Sequence, residues 1–366
     1  MALLFGFILA ILNSYGALTI SHINLWLVAQ DHSFFIGPLL IIGMVSQTGA
    51  ASLTFKLGRK NLFLAVTLLV ISSLLLIIAV KTQIVLLFFI AQPLSAFVNT
   101  ISLTKLSEIF RGLLGDKRQH GGHTLSAFAN TSLNAVFYSL SLRYLDLEWS
   151  AFGTLLILTI VWVGVVILIP FISHFKFSYP INEVKESPLT LRQIWIDHGF
   201  RFGIGNVGSI SASFALPIML PLALEKERAS LIVLIVGLIG GVLVALLAWL
   251  GKLDTDRTGW VLPLIAFSRV SQLIGFICLV TNQTWIAMIF LILGQANMPL
   301  TATVIFNRSP RFGVSSDALV TNAAGLFGNL VGTTIGGLYG YQLGLAFFVP
   351  LIASSFVASL AELLRR

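Results

Sequence analysis

The chain has 366 residues, of which 57% are hydrophobic and only 10% charged, with a net charge of +8. Soluble domains carry roughly 25% charged residues. A deficit this large, with apolar runs recurring from end to end, excludes a water-soluble globular protein and points to a chain that crosses a bilayer many times.

An open sheet leaves its edges unsatisfied in lipid, and barrel strands alternate, whereas the runs here are continuous. The expected fold is therefore an all-α polytopic membrane protein. A helical span needs about 20 apolar residues. Boundaries drawn at charges, Pro/Gly clusters and polar dipeptides place spans 1 to 12 at 2–29, 34–55, 61–80, 83–110, 122–143, 149–175, 199–223, 229–250, 260–281, 284–307, 314–341 and 344–363. Residues 1–12 lack a basic leader and a small-residue cleavage site, so they read as the start of span 1 rather than a signal peptide. The longest connection, 176–198, holds Pro180, Lys185, Glu186 and Pro188. The layout is thus twelve transmembrane helices in two six-helix pseudo-repeats, 1–175 and 199–366, joined by a central cytoplasmic loop at 176–198.

Cations set the orientation. With the first residue in the cytoplasm, 18 of the 22 Lys and Arg residues fall on or toward that side, and only Lys81, Arg143, Lys226 and Arg228 fall outside. This is the positive-inside bias, with both termini cytoplasmic in a cell (plasma or inner) membrane. The surplus charge is a topology signal, so the basic balance calls for the lipid bilayer as partner and for no nucleic acid.

The loop between spans 2 and 3 reads F-K-L-G-R-K over Phe55–Lys60, and that between spans 8 and 9 carries Asp256-Arg257 and Gly259. Laid on each other, Lys56 matches Arg257 and Gly58 matches Gly259, an offset of 201 residues. This resembles the Major Facilitator Superfamily, whose signature between spans 2 and 3 is G-x-x-x-D-R-x-G-R-R/K. Lys56, Gly58, Arg59 and Lys60 keep the pattern; Ala51 and Phe55 depart from its first Gly and its Asp. The resemblance implies alternating access, with these two loops as gating latches. A narrower similarity is to the sugar efflux transporter branch, carried by G-A-L-T-I-S-H-I-N-L-W-L at 16–27, Asn99-Thr100, and Pro310-Arg311-Phe312-Gly313 followed by Thr321-Asn322.

Transport needs polar groups near the midplane. Gln47, Asn99, Asn134, Gln295, Asn297 and Asn329 fall near the middle of their spans, Asn13, Tyr15 and His22 lie along span 1, and Asn206, Ser209 and Ser213 along span 7. In the family that the chain resembles, spans 1, 4, 7 and 10 face the cavity, with 2, 5, 8 and 11 at its sides. Amides offer both donors and acceptors to a neutral polyhydroxylated solute, and Tyr15, Trp26, Phe97, Tyr138 and Phe214 are candidates to stack on it. The alternative for each amide is a hydrogen bond from helix to helix. No Asp or Glu lies near the middle of a span. Proton coupling is therefore an open reading, with His22 and Glu108 as the nearest groups and Glu108 better placed to pair with Lys105 or Arg111. Arg269 is expected to reach Asp254 or Asp256, or to snorkel toward the cytoplasm. Glycines at 328, 332, 336 and 340 stripe one face of span 11, and Gly237, Gly240 and Gly241 mark span 8, both suited to close helix approach.

Enzymatic chemistry finds no support. Cys278 has no catalytic partner in the pattern, His120 and His123 alone make a weak metal site, and no phosphate-binding Gly-rich motif is present. The expectation is a monomeric secondary transporter without a cofactor, exporting a small solute. A sugar or other neutral polar solute comes first. Amphipathic drugs are the alternative within transport, and a non-transporting sensor or scaffold the alternative outside it.

Overall fold

A computed structural model of the chain describes residues 2–54, 61–114, 119–149, 151–153, 155–156, 159–160, 163–164, 207–249, 261–297, 300–301 and 314–364. The described residues form helices and short turns, with no strand among them. Span 1 is Ala2–Ala29, span 2 Ile36–Thr54 after a short 3-10 turn at Ser33–Phe35, span 3 Asn61–Thr82, span 4 Val85–Leu114 and span 5 Gln119–Tyr144. Span 7 is Val207–Ala223, span 8 Lys226–Trp249, span 9 Val261–Val280 and span 10 begins as Thr284–Gly294. Span 11 is Val314–Tyr339, and span 12 runs as Tyr341–Ala346 then Phe348–Leu363. Only short stretches of span 6 and none of the loops at 55–60 and 250–260 lie among the described residues. Six of the helices, among the described residues, are long and apolar enough to cross a membrane, and further apolar helical pieces lie in spans 1, 10 and 11.

The hairpins at the end of the bundle where span 1 finishes are made by a recurring device. Asp31, Gln83 and Asn282 close spans 1, 3 and 9 with φ of 58°, 57° and 62°. This left-handed conformation ends a helix sharply; Asp31 and Asn282 have the short polar side chains that tolerate it, and Gln83 adopts it despite a longer one. Behind two of them the next amide reaches back five residues, His32 to the Leu27 carbonyl and Gln283 to the Cys278 carbonyl, each at 2.7 Å. Gly340, at φ 101°, does the same work after span 11, where a side chain would be strained.

Two sets of helices pack against each other, spans 1–5 and spans 7–12. Span 5 lies along span 8, and span 2 along span 11. The 5–8 seam is close because span 8 offers glycine where span 5 offers small residues. A Cβ on Gly237 would fall on Ala135, and one on Gly241 on Ser132. The span 11 stripe faces elsewhere. Gly328 and Gly332 lie against Phe348 of span 12 and against Ser211 and Met219 of span 7, and Gly336 against Tyr341. These glycines let an aromatic ring settle inside their own set, while another face of span 11 meets span 2.

Among the described residues, three apolar clusters pack inside the bundle. One, with Ile11, Leu12, Val66, Leu69 and Val98, belongs to spans 1–5 alone. The other two join both sets: Tyr138 and Leu142 pack with Met219, Ile232 and Phe276, and Ile20, Ile23 and Leu27 pack with Ile218. Both joint clusters sit toward the end where span 1 finishes, so the sets are sealed together at that end.

Candidate functional site, a polar interior

Spans 1 and 5 are zipped by their own amides. Asn13 donates to Asn130 Oδ1 at 2.9 Å, and the Ser14 hydroxyl donates to Asn134 Oδ1 at 2.7 Å. Asn13 and Asn134 thus spend groups between helices. Two turns further on, Ser21 lies 3.0 Å from the Tyr138 hydroxyl, and both reach the Pro217 carbonyl of span 7. Among the described residues, further bonds between the sets lie at this same end: Ser230 donates to the Ser139 carbonyl at 2.8 Å, and Lys226 to the Leu145 carbonyl at 3.3 Å.

Spans 7, 9, 10 and 12 converge on a second cluster. Arg269, wholly buried, donates from Nε to Asn297 Oδ1 at 3.1 Å and from Nη1 to the Ser355 carbonyl at 2.7 Å. Asn297 passes the connection on, donating to Ser209 Oγ at 2.6 Å and accepting from Thr301 at 3.2 Å. Ser209 donates to Gln272, whose Nε2 donates to Ser213 at 3.0 Å. Close approach makes this possible: a Cβ on Gly208 would meet the Ser355 hydroxyl at 2.9 Å, and one on Gly294 would meet Gln272 at 3.1 Å. A guanidinium presents five donors in a fixed fork, so it organises neutral acceptors from several helices at once. Arg269 therefore neither snorkels nor waits at the surface. Neighbouring spans supply acceptors that hold it inside the bundle, and its other expected partners, Asp254 and Asp256, lie outside the described residues.

Span 4 carries a different kind of group. Asn99 Nδ2 donates to the Leu12 carbonyl of span 1 at 3.2 Å, while its Oδ1 is buried without a partner. One face of the same helix presents Gln92 Oε1 and Ser102 Oγ, also buried and without partners. On span 1, Asn24 is wholly buried with neither amide atom satisfied. His22 is nearly so, bonded to the backbone of Ser141, close to Lys226 and Asp146, and with Nε2 free.

The sequence-predicted residues divide accordingly. Asn13, Asn134 and Asn297 hold helices together; Asn99 and His22 keep an unsatisfied atom each. Gln47 is half-buried on span 2, and Gln295 lies against span 8, where a Cβ on Gly240 would come within 2.6 Å of its Cγ. Tyr15 and Asn329 lie in helices, with side chains outside the described residues, as is that of Phe214. Asn206 and the gating positions Lys56, Gly58, Arg59, Lys60, Asp256, Arg257 and Gly259 lie outside the described residues altogether. Of the stacking candidates, Trp26 is taken by Phe88, with ring centroids 5.1 Å apart, and Tyr138 by the seal. Sequence reasoning missed Asn24, Gln92, Asn130 and Gln272 as polar groups in apolar runs; depth alone would have found Asn130 and Gln272, near the middles of spans 5 and 9.

No protein-family model matches the chain, and no curated protein matches it by sequence. Solved structures do match. The human organic anion transporter MFSD10 (TETRAN) superposes with a TM-score of 0.67 at 13% identity, covering 98% of each chain. The E. coli fucose:proton symporter FucP gives 0.60 at 14% identity, again over 98% of each chain. FucP, a Major Facilitator Superfamily transporter, gives 0.60 at 15% identity in its outward conformation, over 96% of this chain and 97% of that one. The chain has the Major Facilitator fold over essentially its whole length, and is an all-helical multi-pass membrane protein.

Proposed function

We propose that the chain is a secondary transporter that moves a small solute by alternating access. The observation that carries this reading is the fold itself, shared with transporters along 98% of the chain. A seal of breakable hydrogen bonds at one end of two packed sets, Ser21 and Tyr138 on Pro217, supports it. The two sets are the halves 1–175 and 199–366, joined by the loop at 176–198. The cation distribution puts both termini and the basic loops in the cytoplasm of the cell membrane. The closed end then faces outward, and Lys56–Lys60 and Asp256–Gly259 are cytoplasmic gating loops.

The solute is a sugar or other neutral polar compound, and the direction is efflux. Unsatisfied amides inside spans 1 and 4 and the lack of mid-span carboxylates favour a hydroxylated ligand over a cation. The second reading is export of amphipathic compounds. A groove of about 500 Å³ favours it, lined by Leu222, Val280, Tyr339, Tyr341 and Leu343 where spans 7, 9, 11 and 12 meet.

Counterflow in proteoliposomes tests both. Vesicles preloaded with unlabelled lactose, a glucoside or a cationic dye receive trace labelled ligand without a proton gradient. Saturable sugar exchange is expected. Exchange of the dye alone moves the chain to the second reading, and silence for all three ligands leaves another solute or a non-transporting sensor or scaffold.

A further inference from the structure

Asn24 of span 1 is wholly buried, and neither atom of its amide has a hydrogen-bond partner among the described residues. Its neighbours one turn away fix its surroundings. Ser21 donates to the Pro217 carbonyl of span 7 at 3.3 Å, and Ile20 and Leu27 belong to the apolar cluster that holds Ile218 of span 7. Residues three and four apart share a face of a helix. Asn24 therefore lies on the face of span 1 that meets span 7, inside the seal between the two sets. Resting on the transport reading above, we infer that Asn24 is a counterweight built into this seal: drying its amide opposes closure and keeps the end able to reopen.

Much at this end favours closure. Ser21 and Tyr138 reach the Pro217 carbonyl, Ser230 and Lys226 reach the carbonyls of Ser139 and Leu145, and two apolar clusters join the sets here. Each of these groups finds a partner as the sets meet. Asn24 does the opposite. Its amide carries two donors and a carbonyl acceptor. Water satisfies them when the sets part, and closure gives no protein partner in exchange. The Nε2 of His22 and the hydroxyl of Ser139, at the same end, are also buried without a partner, so the opposition acts at more than one point.

The two sides are of similar size. A hydrogen bond formed on closure returns only a little more than water gave, whereas a buried polar group without a partner loses its whole hydration. One dry amide therefore offsets more than one of the bonds that close the seal. Alternating access needs ends that shut without locking, and an apolar residue at position 24 would remove this opposition. The amide is neutral, so the bias acts without a proton, an ion or a bound solute. Nor does Asn24 tie helices together, as Asn13 does lower on the same span through Asn130.

The test times how often the sealed end opens. Ile218→Cys places a thiol in the seal, where Ile218 is buried, and its labelling by a water-soluble maleimide is followed in the purified full chain, with the native Cys278 alone as baseline. Asn24→Leu is expected to slow labelling about fivefold or more and to raise the thermal midpoint, since a dry polar group is gone. Asn24→Val, which adds less bulk, is expected to do the same. Asn24→Asp keeps the size but its carboxylate needs water more, so it is expected to speed labelling. Faster labelling and a lower midpoint in both apolar variants would show that the amide holds the helices together, and would overturn the counterweight. So would equal rates in the parent and all three variants; if the Asp variant does not fold, the apolar pair decides. Counterflow on the same proteins separates this inference from the reading it rests on. Shifted labelling in a chain that exchanges none of the tested solutes keeps the counterweight and tells against transport alone, whereas solute exchange with unshifted labelling tells against the counterweight alone.

Discussion

The hydroxyl of Tyr138 and the carbonyl of Pro217 meet across the two sets of helices because Pro221 has no N–H to give. In a helix the carbonyl of residue 217 would accept from residue 221; proline there leaves it free and bends the helix. Ser21 takes the same oxygen at 3.3 Å. The prolines of span 7 thus make the acceptor on which the seal closes, and the donors come from spans 1 and 5.

Pro221→Ala should loosen the seal, although it adds a helix-favouring residue. The new N–H competes with Tyr138 and Ser21 for the Pro217 carbonyl. A lost bond of about 1 kcal/mol shifts an equilibrium about fivefold. The readout is the labelling rate of a cysteine placed at Ile23, which is buried in the sealed end, by a membrane-impermeant maleimide. Tyr138→Phe should speed labelling in the same way; rates that stay put in both variants would show that apolar packing alone closes this end.

Arg269 holds four spans together, and its removal should be felt in folding. Arg269→Leu takes the charged donor from Asn297 Oδ1 and from the Ser355 carbonyl, which keep only the Thr301 and Ser359 hydroxyls, a loss of about 1.5–3 kcal/mol. Arg269→Lys should recover only part, because an ammonium is a point donor and cannot keep the fork between spans 10 and 12. Thermal unfolding of detergent-purified protein checks this. An unchanged midpoint in Arg269→Leu would mean that the cluster supports nothing.

Much of the fold was legible because long apolar runs and charge-marked loops report spans directly. Helices such as Asn61–Thr82 and Val261–Val280 fall within two residues of the boundaries read from the sequence. Partnership was not legible. Asn13, Asn134 and Asn297 look alike in sequence to Asn99, and all four bond from helix to helix, yet Asn99 also keeps a dry oxygen. That difference depends on which neighbour rotates toward the amide, and depth in a span does not encode it. The span 11 glycines show the same limit: their spacing foretold close approach, while the ring that uses it, Phe348, comes from span 12.

Asn13→Leu and Asn134→Leu therefore should cost stability rather than solute affinity. Interhelical hydrogen bonds in membranes average about 0.6 kcal/mol, so each variant should lower the thermal midpoint slightly while counterflow keeps its half-saturating concentration. A several-fold rise in that concentration would return these two amides to the solute's surroundings.

The seam between spans 5 and 8 gives the sharpest steric contrast. Gly241→Leu drives a side chain into Ser132, and Gly237→Leu drives one into Ala135, so span 8 must move off span 5. Close-packed interiors accept little added volume, and overpacking costs roughly 1–3 kcal/mol. Gly337, on span 11, has nothing within 4 Å of its would-be Cβ, so Gly337→Leu is the matched control. Both seam variants should lower the thermal midpoint and speed labelling at Ile23, and the control should do neither. If all three behave alike, glycine at 237 and 241 is not what lets the two sets of helices close.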